Sequence, residues 1–297
     1  MIPSPFRVLV AGGGRVRGAE PLETPGVDAG RLRRMDRFGR VGFVAGTRAL
    51  LDAGYRRLDE ADPETGVVFG SAFGCRDSIT DHARLVAERV PIEELRPALF
   101  AQTVHNTVNG ELAIHWNLGG ISETLLGART SGLDALLMAA DRIGAGAARR
   151  AVAGGAEGLH QRMREAAAGL QTEESGAALV LEAAGLERHG VELAGGASFF
   201  EPDPRAAAAR LASSLRGEGL LVLAHPAADS AWDALRPEGW RVLPPPAVER
   251  FGAAGPFAAL DLLERLANGE AAQGAAVVRD PEGPTALVLF RITPRNG

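Results

Sequence analysis

The sequence predicts an α/β fold, and three observations lead to this prediction. The 297 residues are 46% apolar and 23% charged, which is an ordinary globular balance. Short apolar runs of strand length alternate with longer segments of helical periodicity. Residues 104–158 contain a strand, a sharp turn, a helix and a second strand. This order is a βαβ unit, whose strands are parallel and whose crossover is right-handed.

The first part of the chain supplies a strand, a long helix, a second strand and a second helix. We expect a strand over 6–11 that ends at a turn of three glycines, Gly12 to Gly14. A dinucleotide-binding loop is the alternative, but no helix with a correctly spaced third glycine follows it. One amphipathic helix is expected over 32–54, with Gly54 at its C-terminus. Further elements are predicted at 66–70 (strand) and 77–89 (helix).

The central βαβ unit is the most constrained part of the sequence. A short helix over 109–116 precedes an apolar strand over 123–128. The turn at 129–132 then leads into a helix over 133–143 and a strand over 150–153 that ends at two glycines. Such an elbow exposes one side chain at a helix N-terminus, where free N–H groups favour a developing anion. Here that side chain is Arg129.

The remaining elements continue the alternation. We expect a short helix over 160–171 and a strand over 174–182. The second part of the chain is predicted to contain strands at 192–199, 219–224, 274–279 and 285–292 and helices at 204–216 and 256–269.

Composition excludes several classes of function. The net charge is −5 and there is no basic block, so no nucleic-acid surface is expected. The chain has no lysine, which excludes lysine-dependent chemistry, and its six histidines show no metal-binding spacing. The single cysteine, Cys75, permits no internal disulfide, and we expect it to be a buried structural thiol. No signal peptide or membrane span is recognised, so a soluble cytoplasmic protein is expected.

Four motifs resemble those of the β-ketoacyl synthases, condensing enzymes of the thiolase superfamily. They are RRMDRF at 33–38, GARTSG at 127–132, ESGAALVLE at 174–182 and VERFGAAG at 248–255. The resemblance implies a thiolase-like fold of five α-β-α-β-α layers with shortened loops. It implies two similar halves, an N-terminal half over 1–182 and a C-terminal half over 183–297. It implies no cofactor and no metal.

The resemblance also implies that the catalytic site is degenerate. The family carries a nucleophilic cysteine at the elbow, where this chain has Arg129, and a guanidinium cannot act as a nucleophile. The family's two histidines align with His225 and Glu249, so only the first is retained, and Pro244 replaces its lysine. No catalytic residue is therefore expected. We hypothesise an Arg129–Glu249 ion pair that fills the former site; alternatively, Arg129 reaches solvent.

These features predict a non-catalytic subunit similar to a chain-length factor. In the family the strand before the elbow, here 123–128, pairs across a dimer, so the expected partner is an active β-ketoacyl synthase. One alternative is a cysteine-independent acyl or malonyl decarboxylase or acyltransferase that uses His225 and Arg129. Another is a homodimeric scaffold that binds acyl carrier protein through arginines such as Arg31, Arg33 and Arg34.

Overall fold

The computed structural model describes residues 7–18, 20–94, 97–159, 161–167, 169–185, 189–224 and 237–293. Ten strands lie in these ranges: β1 Arg7–Arg17, β2 Thr65–Ser71, β3 Ser122–Leu126, β4 Arg150–Glu157, β5 Ser175–Ala184, β6 Val191–Phe200, β7 Gly219–Leu223, β8 Trp240–Leu243, β9 Gln273–Arg279 and β10 Pro284–Ile292. They follow the order β3-β2-β4-β5-β1-β6-β10-β9-β7-β8.

The described residues also form nine α-helices: α1 Ala29–Arg33, α2 Arg37–Asp52, α3 Arg76–Ala87, α4 Pro97–Ala101, α5 Thr107–Trp116, α6 Ser131–Gly144, α7 Gln161–Ala166, α8 Pro204–Ser214 and α9 Ala254–Ala267. Two short 3-10 turns, Ile92–Glu94 and Phe251–Ala253, complete the regular structure of these ranges.

The strand order consists of the same five-strand pattern used twice. From the centre outward, the first set reads β1-β5-β4-β2-β3 and the second reads β6-β10-β9-β7-β8. In each set the first three strands are antiparallel neighbours and the outer three are parallel. The two sets are joined by the pairing of Leu9 with Glu192. The expected pair of similar halves is therefore confirmed in the topology.

Alternating side chains of the strands pack into separate cores against three layers of helices. On β4, Ala151 and Ala153 face a core that also contains α6 and α9, whereas Val152 faces a core with α2 and α5. On β9, Ala276 faces the first of these cores and Val277 faces a third core with α8. Because strand side chains alternate with period two, each set of five strands is covered on both of its faces. The fold is thiolase-like, with α6 and α9 as the central helical layer.

The first strand is longer than predicted. A turn was expected at Gly12 to Gly14, but β1 continues through the glycines to Arg17, with an irregular register between Val10 and Gly12. The glycines are required by packing instead of by a turn. A Cβ added at Gly12 or Gly14 would overlap with the backbone of α2 or the residue that follows it. The glycines therefore allow α2 to lie directly on the strand.

The helix predicted over 32–54 is also wrong as a single element. It is two helices, because Asp36 adopts an extended conformation and its Oδ1 accepts a hydrogen bond of 2.7 Å from the Gly39 N–H. This side chain caps the N-terminus of α2, which therefore begins as a helix separate from α1.

The strand predicted over 150–153 continues through its glycines to Glu157, and the short edge strand β8 was not predicted. The division of the halves at residue 182 stays a prediction; β5 ends at Ala184.

Candidate functional site

The connection between β3 and α6 places residue 129 just before a helix N-terminus. β3 ends at Leu126 and α6 begins at Ser131. The turn is tight, since the Ser131 N–H and Oγ donate to the Ala128 carbonyl at 3.1 and 2.7 Å. Gly70 of β2 lies against it, and an added Cβ there would overlap with the Ser131 carbonyl. The elbow predicted from the sequence is therefore present and packs on the sheet.

The Arg129 guanidinium is largely removed from solvent and is engaged on all three nitrogens. Its side chain is only 11% exposed. Nε lies 3.2 Å from the Glu249 Oε2, Nη1 lies 3.1 Å from the Asp280 Oδ2, and Nη2 donates to the Ala166 carbonyl at 3.4 Å. The guanidinium also lies over the Phe251 ring, 4.6 Å from its centroid. The hypothesised pair with Glu249 is confirmed, and the alternative of a solvent-facing Arg129 is wrong.

Glu249 is held from both its backbone and its side chain. Its side chain is 0% exposed, and its Oε1 accepts a 2.6 Å hydrogen bond from the Phe251 N–H. Its own N–H donates to the Gln171 carbonyl at 2.8 Å. Phe251 has φ +44°, which is an uncommon conformation for a bulky residue. Such strain persists only where the surroundings fix it, and here the carboxylate and the guanidinium do so.

Asp280 is the second carboxylate on Arg129, and sequence reasoning missed it. Its Oδ2 accepts from both the guanidinium and the backbone N–H of Arg129, the latter at 3.3 Å. Its Oδ1 accepts from the Glu282 N–H at 3.0 Å. The sequence showed only that the loop between β9 and β10 is short. That this loop reaches the elbow depends on how the two halves pack.

Glu157, at the end of β4, is a second buried acid that was not predicted. It is 0% exposed, and desolvation raises its pKa to about 8. Its Oε1 accepts from the N–H groups of Ala72 and Gly252, and its Oε2 from that of Phe73 at 3.3 Å. Glu157 therefore joins the loop after β2 to the turn before α9. The signal in the sequence was an acid at the end of a run of buried strand residues.

Cys75 is buried, as expected, and is not poised as a nucleophile. It is 1% exposed, and its Sγ lies 3.4 Å from the His105 Nδ1. Burial raises the pKa of the Cys75 thiol to about 11, and the charge of Asp36 acts in the same direction. Burial also lowers the pKa of His105, which disfavours an imidazolium partner. At neutral pH the thiol is therefore protonated and unreactive.

The third predicted position, His225, lies outside the described residues. Within the ranges that the structure does describe, no group of His, Cys, Asp and Glu side chains could hold a metal ion. In the same ranges no helix is long and apolar enough to cross a membrane.

The family model described as "Beta-ketoacyl synthase, N-terminal domain" matches residues 21–199, which is more than half of the chain. The chain belongs to the β-ketoacyl synthase family. The match includes the elbow, both strands of the βαβ unit and the strand β5.

Curated relatives of this β-ketoacyl synthase family member are longer than the part that aligns. The 3-oxoacyl-[acyl-carrier-protein] synthase 2 of Vibrio harveyi is 36% identical over 125 residues. That alignment covers 42% of this chain and 30% of the relative. The corresponding synthase of Vibrio cholerae is 34% identical over 125 residues with the same coverage. The chain thus spans under a third of these relatives.

Solved structures of ketosynthases share the fold over nearly the whole chain. The ishigamide ketosynthase/chain length factor has a TM-score of 0.74 at 22% identity, covering 97% of this chain and 100% of its own. A type II polyketide acyl carrier protein in complex with its ketosynthase has a TM-score of 0.78 at 18% identity, with the same coverage. At these identities the likeness establishes the fold.

In this ketosynthase family member, β3 forms one edge of the sheet, as predicted. Large apolar side chains are exposed on β3 and on the segments before and within α5. They are Leu126 at 47%, Val104 at 44% and Ile114 at 70% exposed. An edge strand offers unpaired backbone groups and is normally paired or protected. We call the outer surface of β3, Val104 and α5 the β3 edge surface.

Proposed function

We propose that this chain is a non-catalytic ketosynthase-like subunit of the chain-length-factor type. It pairs with an active β-ketoacyl synthase in polyketide, polyene or fatty-acid chain synthesis. One observation carries the proposal: Arg129 occupies the elbow where the family has its cysteine, and two buried carboxylates neutralise and hold it.

The chemistry of condensation argues against turnover at this elbow. The reaction needs a thiolate to accept the acyl chain and donors that stabilise the oxygen of the thioester. Arg129 supplies no nucleophile, because guanidinium stays protonated. Its backbone N–H is aimed at the Asp280 carboxylate, 3.3 Å away. A substrate oxygen would have to displace that negative charge to reach this donor.

The β3 edge surface supports a paired assembly. A strand with an open edge and exposed apolar neighbours is stabilised when a second protein adds its own strand or covers the surface. The ishigamide structure, which has this fold, is described as a ketosynthase with a chain length factor. A homodimer through the same surface is the second possible assembly. Acyl carrier protein is the further partner that we propose for the complex.

The alternative enzymatic function requires Arg129 to recognise an anionic acyl or malonyl group together with His225. The guanidinium is already bound by Glu249 and Asp280, so a substrate carboxylate would have to displace one of them. The scaffold alternative relied partly on Arg31, but this side chain forms a 2.6 Å ion pair with Glu111. The subunit proposal requires neither group to be available.

The test is to express the chain alone and together with the ketosynthase encoded nearest to it. We expect a stable complex and condensation by the complex only, with activity lost when the partner's cysteine is replaced. Turnover by the isolated chain would contradict the proposal and favour the second enzymatic function. If the chain neither binds the ketosynthase nor turns over substrate, the carrier-protein scaffold is the function that remains.

A matched pair of variants tests the surface. Leu126→Arg places a charge on the β3 edge surface, whereas Phe200→Arg places one on an exposed apolar side chain of β6. We expect the first variant to reduce complex formation and the second to leave it unchanged. Equal effects of both, measured by light scattering after size-exclusion chromatography, would locate the interface elsewhere.

A further inference from the structure

The loop between β9 and β10 inserts a carboxylate into the elbow of the other half of the molecule. Asp280 is 6% exposed, and its Oδ2 receives two hydrogen bonds from Arg129, from Nη1 at 3.1 Å and from the backbone N–H at 3.3 Å. The loop is closed on itself by bonds between Asp280 and Pro284 and between Gly283 and Asp280. The carboxylate is thus presented from a short, hydrogen-bonded hairpin.

The groups around this carboxylate are those of an anion-binding site. A guanidinium and a backbone N–H at a helix N-terminus converge on one oxygen, and both favour negative charge. Arg129 does not depend on Asp280 for its orientation. Glu249 fixes its Nε at 3.2 Å, the Ala166 carbonyl accepts from Nη2, and the Phe251 ring lies against its face.

We propose that the elbow is a preformed receptor for one small carboxylate and that Asp280 is its built-in ligand. The side chain closes the site against external carboxylates, including the anionic acyl groups that an arginine would otherwise attract. If the carboxylate is removed from the chain but Arg129 and Glu249 remain, a free carboxylate of the right size takes its place. This inference concerns the chain by itself and does not depend on the partner subunit.

The size of the ligand follows from the side chain that it replaces. Asp280→Ala removes the carboxylate but keeps the Cβ, so the missing group is one carboxylate carbon with its two oxygens. Formate supplies that group without an additional methyl, whereas acetate brings a methyl that meets the Ala Cβ. We therefore expect formate to bind better than acetate.

The test measures the urea midpoint of unfolding at constant ionic strength while sodium formate replaces sodium chloride. A ligand that binds only the folded state raises this midpoint in a saturable way. We expect that rise for D280A, a smaller one with acetate, and none for the wild type. The double variant R129M/D280A should show no rise, because the receptor is gone, and D280N should show none, because its amide fills the space.

Two results would overturn the proposal. One is a D280A midpoint that does not respond to formate; the other is an equal response in R129M/D280A. If D280A does not accumulate in folded form, its refolding yield in formate and in chloride gives the same answer. A higher yield in formate that is lost in R129M/D280A supports the receptor, and equal yields in the two salts refute it.

Discussion

Replacing Arg129 with alanine should destabilise the fold strongly, because it removes the cation between two buried acids. Glu249 is 0% exposed and the Asp280 side chain is 9% exposed. Breaking a buried ion pair by removing one partner costs about 3–5 kcal/mol, since the remaining charge is left uncompensated. Glu249 keeps the backbone hydrogen bond from Phe251, and Asp280 keeps two, from Glu282 and from the N–H of residue 129. We therefore expect about 3 kcal/mol, the lower end of that range.

A matched surface pair provides the control. Arg84 lies 3.2 Å from Asp81, the same distance as in the Arg129–Glu249 pair, but these side chains are 65% and 57% exposed. Exposed pairs contribute at most about 1 kcal/mol. R84A should therefore change the free energy of unfolding by less than that amount. Urea denaturation of the two variants and the wild type at pH 8 gives the comparison.

The size of the R129A deficit decides whether the two carboxylates depend on the guanidinium. A deficit under about 1 kcal/mol, which is what an exposed ion pair contributes, would refute the reasoning.

Three further predictions concern Glu157, the R129C variant and a pair of glycines. Because burial raises the pKa of Glu157 to about 8, the folded wild type holds a proton that the unfolded chain releases, so its free energy of unfolding should fall between about pH 5 and pH 8. In E157Q, urea denaturation should show a free energy of unfolding that depends less on pH over this range, and an equal pH dependence in variant and wild type would contradict this. R129C should react slowly with iodoacetamide at neutral pH, because the two neighbouring carboxylates and burial keep the thiol protonated; an alkylation rate typical of an exposed cysteine would argue otherwise. Gly14→Ala should destabilise the fold, since its Cβ would overlap with α2. Gly110→Ala in α5 adds a Cβ that meets nothing within 4 Å and should stabilise the fold by about 0.5–1 kcal/mol, and thermal melts of both variants distinguish the two effects.

The outcome at particular residues shows what the sequence can and cannot reveal about this fold. Local signals were sufficient for the βαβ unit, because the elbow and its flanking apolar runs are adjacent in the chain. They failed at Gly12 and Gly14, where glycine is required by close packing of α2 and not by a turn. They also failed at Asp36, because whether an acid caps a helix depends on the extended backbone around it.

The site shows the same distinction. Arg129 and Glu249 could be paired from the sequence only through the family resemblance, since 120 positions separate them. The contact of Asp280 with Arg129 could not be predicted, because no motif identifies Asp280 and the contact depends on the path of a shortened loop. The sequence marked Glu157 only as an acid at the end of an apolar strand; its environment could not be predicted, since its carboxylate is bonded by two loops that come from different halves of the molecule.

Intact-protein mass spectrometry of the co-purified pair tests the central claim most directly. After incubation with a labelled acyl thioester, the acyl mass should appear on the partner ketosynthase, and this chain should keep its unmodified mass. A covalent acyl adduct on this chain would contradict the account.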